Sequence, residues 1–240
     1  MSPRPPVLLL HGFGSSFEHN WGRSGWLDLL ADEQRTTIGF ELPGHGTPAR
    51  PDVEHGDDVV TALLAELSEH PPVDAVGFSA GGRLLAAAAA REPARFGRIV
   101  LLGVGNSLLR PPSGRSNPLA DLLESLPADP EPTDPQARLF HRLVRSAGND
   151  PSAIARYLRV PEPQVKATDL GAITSPALVM LGDRDFFGPA DEVVAALPKA
   201  RLVLLPGVDH FGLTSDVRCL DGVLAFLADP VGETVPASAG

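Results

Sequence analysis

With 240 residues, 43% of them hydrophobic, the chain is sized for one domain of roughly 200–250 residues, or a core plus a small insert, around a sizeable apolar interior. Thirty acidic residues against 20 basic ones give a formal net charge of −10. That balance argues against nucleic acid or an anionic membrane surface as partner, and solubility alone accounts for it. The single cysteine, Cys219, excludes an internal disulfide and, beside Leu220 in the last predicted helix, reads as a small buried hydrophobe. Met1 to Pro6 holds one arginine and three prolines ahead of four apolar residues, too little for a signal peptide or a membrane span, so a cytoplasmic location is expected.

Further along, apolar runs of four to six residues alternate with amphipathic stretches, the pattern of a parallel sheet covered by helices. Strands are predicted at 7–10, 37–41, 74–78, 98–103, 177–181 and 201–205, and helices at 26–32, 57–69, 80–92, 190–197 and 217–227. In the second helix Val59, Val60, Leu63, Leu64 and Leu67 recur at helical spacing and form its buried stripe. Between Gly105 and Ser175 the rhythm lapses. Prolines fall at 111, 112, 118, 127, 130, 132, 135, 151, 161 and 163, and short helices fit between them at 119–126, 136–147 and 152–158. Leu139, Phe140, Leu143, Val144 and Tyr157 give these helices an apolar face, which favours a helical cap over a linker. The tail after Pro230 is small and polar and is expected to fray.

The most informative motif is Gly77-Phe78-Ser79-Ala80-Gly81, between a β-branched run and an alanine-rich helix. A serine flanked by glycines at a strand-to-helix junction has the form of a nucleophile elbow: the tight turn admits only small neighbours and projects the hydroxyl away from the sheet. The helix N-terminus that follows favours developing negative charge. Three further segments end predicted strands: His11-Gly12-Phe13-Gly14, the carboxylates Asp183 and Asp185, and His210. The order is serine, acid, histidine.

With these motifs, and with Leu42-Pro43-Gly44-His45-Gly46 after the second strand, the chain resembles the α/β-hydrolase family from about Pro5 to Leu227. The resemblance implies an α/β fold: a mostly parallel, doubly wound sheet of about six strands lacking the family's first hairpin, with a small helical cap. Residues 1–106 and 170–240 would form the core and 107–169 the cap. It also implies roles. Ser79 would be the nucleophile and His210 its base, and the backbone amides of Phe13 and Ala80 would hold an oxyanion. His11 and His45 would support the loops that carry them. Gly182-Asp183-Arg184-Asp185 offers two carboxylates, and the family's glycine-x-x-aspartate spacing selects Asp185, with Asp183 left as a turn residue or a partner of Arg184.

The substrate pocket would be lined by the cap and the loop after the first strand, with Phe17, Trp21, Phe186, Phe187, Leu139 and Leu143 as candidates; Trp26 reads as core. Arg83, on the first turn after Ser79, either meets a substrate carboxylate or pairs with a loop acid. The sequence shows no metal cluster and no phosphate loop, and the implied chemistry needs no cofactor. The expected activity is a serine hydrolase of a small carboxylic ester or thioester. The alternatives are a carbon–carbon hydrolase or a lyase like the menaquinone-pathway synthase on the same residues, or a ligand receptor or partner-binding protein that retains them. Oligomeric state is not readable from the sequence.

Overall fold

The structure, a computed structural model, describes residues 4–110, 118–125 and 135–228. The prolines at 111, 112, 127, 130 and 132 and the tail after Pro230 lie outside them. The six strands are β1 (Val7–Leu10), β2 (Thr37–Phe40), β3 (Val73–Phe78), β4 (Phe96–Leu102), β5 (Ala177–Gly182) and β6 (Ala200–Leu205). All neighbouring pairs are parallel, in the order β2-β1-β3-β4-β5-β6. Their ends differ by at most two residues from the predicted ones. The helices of the flanking layers are α1 (Trp26–Asp32), α2 (Gly56–Leu67) and α3 (Ala80–Arg91). The insert contributes α4 (Pro118–Ser125), α5 (Pro135–Ser146) and α6 (Pro151–Leu158), and the chain closes with α7 (Ala167–Leu170), α8 (Asp191–Ala196) and α9 (Val217–Ala228).

Side-chain alternation along the strands divides the interior into two layers. Leu8, Leu10, Ala75, Ile99, Leu101, Val179 and Leu181 point to one face, where α2, α3 and α8 cover them. Val7, Leu9, Val76, Val100, Leu102, Leu178 and Met180 point to the other, under α1 and α9. The predicted stripe of α2, Val59 through Leu67, is buried in the first layer, and the alanines of α3 let that helix lie close to the sheet. Cys219 is buried in the second layer, where loss of hydration pushes its thiol up to about 12. At the foot of β3 the sequence hid an internal ion pair: Arg35 Nη2 lies 2.6 Å from Asp74 Oδ2, with both side chains almost wholly buried. Arg35 Nε also donates to the Pro5 carbonyl at 2.7 Å.

Leu119, Ala120, Leu123, Phe140, Val144, Ile154, Ala155 and Leu158 give α4, α5 and α6 a small core of their own, against which Phe13 packs. No helix among the described residues is long and apolar enough to cross a membrane. In an open parallel sheet with this order, the chain leaves β1 for one side and returns to β3 on the other, and a crevice opens beyond the carboxyl ends of those two strands. The loop His11–Ser15 and Ser79 both sit there.

Candidate active site

Ser79 occupies the junction of β3 and α3 with φ 52° and ψ −114°, a left-handed conformation costly for any residue with a side chain. The surroundings enforce it. A Cβ at Gly77 would come within 2.6 Å of the Gly81 carbonyl, and one at Gly81 would strike the Leu10 and His11 carbonyl oxygens. The Ser79 N–H is tied to the Leu102 carbonyl of β4 at 2.8 Å. The hydroxyl is thereby held above the sheet, at the start of α3.

His210 comes from the loop after β6. Its Nε2 lies 3.0 Å from Ser79 Oγ and its Nδ1 2.9 Å from Asp185 Oδ2. A carboxylate only accepts, so Nδ1 carries the proton and the Nε2 lone pair faces the serine hydroxyl. Asp185 is fixed in turn, its Oδ1 accepting the Phe187 N–H at 2.9 Å. Asp183 is a turn residue: its Oδ1 accepts the Gly207 N–H at 2.7 Å. The His210 ring stacks on Phe78 at 4.9 Å, with Phe186, Phe187 and Phe211 at 4.9, 4.7 and 5.7 Å around it. Gly103, at φ +64°, makes room for it, since a Cβ there would lie 2.8 Å from Cε1.

The loop after β1 is held from all sides. Gly12 N–H donates to Asn20 Oδ1 at 3.1 Å, Gly14 N–H to His45 Nε2 at 2.9 Å and Ser15 N–H to the Gly12 carbonyl at 3.2 Å. The Phe13 N–H is the one amide of Gly12–Ser15 without an acceptor among the described residues. On the other side of Ser79, the Ala80 N–H belongs to the first turn of α3, whose amides have no partner within the helix. His45 is wholly enclosed; burial, and then the neighbouring His11, lower its pKa to about 3. It is therefore neutral, with Nδ1–H donating to the Pro43 carbonyl at 2.8 Å and Nε2 free to accept from Gly14.

A family model described as the alpha/beta hydrolase family matches residues 7–221. The chain belongs to that family. Among alpha/beta hydrolases and their relatives, it is 28% identical over 221 residues to the dihydrolipoyllysine-residue acetyltransferase component of the acetoin cleaving system of Pseudomonas putida, covering 85% of this chain and 58% of that protein. It is 36% identical over 101 residues to 2-succinyl-6-hydroxy-2,4-cyclohexadiene-1-carboxylate synthase of Escherichia coli O1:K1, 41% of this chain and 38% of that one. The chain thus spans well under two thirds of the length of these two relatives. With the pimeloyl-[acyl-carrier protein] methyl ester esterase of Nitrosomonas europaea it shares 24% identity over 246 residues, 91% and 95% of the two chains. The solved structure of MenH from S. aureus superposes with a TM-score of 0.71 at 19% identity over 95% and 94% of the two chains, a likeness of fold.

In this family member a cavity of about 670 Å³ opens over Ser79, within the usual size range of ligand sites. Of the predicted pocket residues, Leu143, Phe186, Phe187 and Arg83 line it, together with Phe13, Phe78, Leu119, Phe140 and Phe211. Arg83 is paired with Glu162, from the chain after α6, at 2.6 Å. Three predicted pocket residues are corrected. Phe17 lies against β2, its ring filling the space that a Cβ on Gly39 would need. Trp21 is fully buried, edge-on to Trp26 at 5.1 Å. Both belong to the layer under α1 and α9, because a π-helical turn over Glu18–Gly22 rolls these large apolar rings into the core and leaves His19 and Asn20 on the cavity. Leu139, one helical turn before Leu143, lies outside the cavity and is half exposed. Sequence reasoning had passed over Phe78, Phe211, Asn20 and Asn149. Phe78, directly before Ser79, and Phe211, directly after His210, carried a positional signal; the two asparagines did not.

Proposed function

We propose that the chain is a serine hydrolase of small carboxylic esters or thioesters, acting through an acyl-enzyme on Ser79. The observation that carries this reading is the unbroken chain from Asp185 through His210 to a strained Ser79 facing the cavity. Ser79 Oγ attacks the substrate carbonyl carbon while His210 Nε2 takes its proton. The carbonyl π pair moves onto oxygen, where the Phe13 and Ala80 amides receive it; each such donor is worth about 2.7–4 kcal/mol. The C–O or C–S bond then breaks, and His210 returns the proton to the departing alcohol or thiol. Water, deprotonated by the same nitrogen, repeats the sequence on the acyl-enzyme and frees the acid and the serine. Asp185 holds the imidazole in the required tautomer throughout.

On this reading the described residues within 1–106 and 170–240 are the catalytic core and those within 107–169 a cap, with Leu143, Phe140 and Leu119 forming an apolar wall for the substrate. Similarity to an esterase over most of both chains supports ester chemistry. A purified-protein panel of p-nitrophenyl esters of increasing acyl length tests it. Multiple turnover on at least one ester is expected, with fluorophosphonate labelling at Ser79 alone, and Ser79→Ala should lose both while remaining folded. Turnover surviving that substitution would end the proposal. The stretch similar to the Escherichia coli synthase supports a second reading, a carbon–carbon lyase on the same residues. Labelling at Ser79 without turnover of any ester would favour it.

A further inference from the structure

Asn149 follows α5 in the insert, yet its side chain is buried against two loops of the core. Its Nδ2 donates to the Gly14 carbonyl at 2.9 Å and to the Ser15 carbonyl at 2.7 Å, and its Oδ1 accepts the Gly46 N–H at 2.9 Å. Two carbonyls on one side and an amide on the other admit only this orientation of the carboxamide. One side chain thereby staples the loop after β1 to the Pro43–Gly46 loop. Its own backbone is fastened to α5 through the Val144 carbonyl at 3.1 Å. The insert bears directly on both loops. A Cβ at Gly14 would touch Leu143 and Val144 of α5 at 3.4 Å, and one at Gly44 would come within 2.8 Å of the Ala153 carbonyl of α6.

These contacts converge on the Phe13 amide. In a trans peptide the N–H points opposite to the preceding carbonyl. The Gly12 carbonyl is gripped by His11 Nδ1–H at 2.8 Å and by the Ser15 N–H, which aims the Phe13 N–H away from them. On the far side of Phe13, Gly14 has its N–H on His45 and its carbonyl on Asn149, and its φ of +71° leaves it no side chain to anchor it otherwise. Ser15, which holds Gly12, is itself held by Asn149.

We propose that Asn149 is a positioning residue that sets the direction of the Phe13 amide, so that docking of the insert and assembly of the oxyanion site are one event. This rests on the reading of Ser79 as nucleophile. Without Asn149, two buried carbonyls and one buried amide lose their partners, and the loop must move to rehydrate them. Binding of a neutral ester in the cavity uses little of this network; stabilisation of the charged tetrahedral state depends on it.

The test compares wild type with Asn149→Ala and Asn149→Asp on the best p-nitrophenyl ester. Asn149→Asp keeps the volume and the Gly46 bond but sets an acceptor against two carbonyl oxygens. For Asn149→Ala a fall in kcat of about ten- to hundredfold is expected, with KM within about threefold, as for a misaligned rather than missing oxyanion donor. The affinity for a phenylboronic acid, which adds to the serine as a tetrahedral anion, should fall by a similar factor. An Asn149→Ala protein that melts cooperatively and keeps kcat within twofold of wild type overturns the inference. Should Asn149→Ala not fold, Asn149→Asp decides by the same criteria. A wild type that neither turns over esters nor labels at Ser79 overturns the serine reading itself, and this inference with it.

Discussion

If His210 is the base proposed above, replacing Asp185 with asparagine isolates the group that orients it. The carboxylate uses both oxygens as acceptors, Oδ2 from His210 Nδ1–H and Oδ1 from the Phe187 N–H. An asparagine offers one oxygen and one NH₂, so it fails on one side whichever way it turns. With NH₂ toward His210, the imidazole must shift its proton to Nε2, and no lone pair then faces Ser79. With NH₂ toward Phe187, two N–H groups confront each other in a buried site. The backbone amide cannot change its role and the imidazole can, so the first arrangement prevails. A loss of about 10⁴ in kcat/KM follows for a base held in the wrong tautomer, which corresponds to about 5.5 kcal/mol of transition-state stabilisation. Asp183 provides the control two residues away. Its side chain accepts the Gly207 N–H, which an asparagine oxygen accepts equally well, and its charge otherwise faces only the exposed Arg218 among the described residues, so Asp183→Asn should stay within about threefold of wild type. The assay is kcat/KM on a p-nitrophenyl ester at a pH where wild type is fully active. Asp185→Asn within tenfold of wild type, or Asp183→Asn as the more damaging of the two, would refute the reasoning.

Two further outcomes are expected. Leu143 lines the cavity and Leu139 does not, so Leu143→Ala should shift the relative kcat/KM toward longer acyl chains, by about fourfold per added methylene at about 0.8 kcal/mol each, while Leu139→Ala leaves the acyl-length profile unchanged. The folded protein keeps His45 neutral down to about pH 3, whereas the unfolded chain protonates it near 6.5. Protons therefore favour the unfolded state as pH falls through that value, and this one group's effect on stability should steepen from about 0.7 kcal/mol per pH unit at 6.5 to about 1.4 kcal/mol per pH unit at 5. Urea midpoints across that window should fall less steeply in His45→Gln than in wild type, and equal slopes would contradict the assignment.

Much of the sheet was legible because its inner strands are buried on both faces and so read as unbroken apolar runs: Val7–Leu10 and Ala177–Leu181 need no alternation to be seen. The elbow was legible because the glycines around Ser79 are demanded by backbone crowding, which leaves a mark in sequence. Choosing between Asp183 and Asp185 took a family spacing, since both follow the same strand and differ only in which way the turn aims them. Phe17 and Trp21 were misplaced because a π-helical turn breaks the spacing by which a face is inferred. Asn149 was invisible for another reason. A Gly-Asn pair after a helix reads as a stop signal, and its side chain acts on residues more than 130 positions earlier in the chain.

Arg35 and Asp74 lie 39 positions apart, yet they are bound to change together. Removing either leaves the other as an unpaired buried charge, a loss of about 3–5 kcal/mol from a total of about 5–15. Replacing both by apolar residues of similar bulk is often neutral or better. The tolerated route away from this pair is thus a double substitution, with both single intermediates selected against. Gly97 narrows the route further, because a Cβ there would lie 2.8 Å from Asp74 Oδ1. A larger residue at 97 would have to push that carboxylate aside, at the expense of its pairing with Arg35. Change at the foot of this sheet is therefore coupled: positions 35 and 74 to each other, and position 97 to the aspartate.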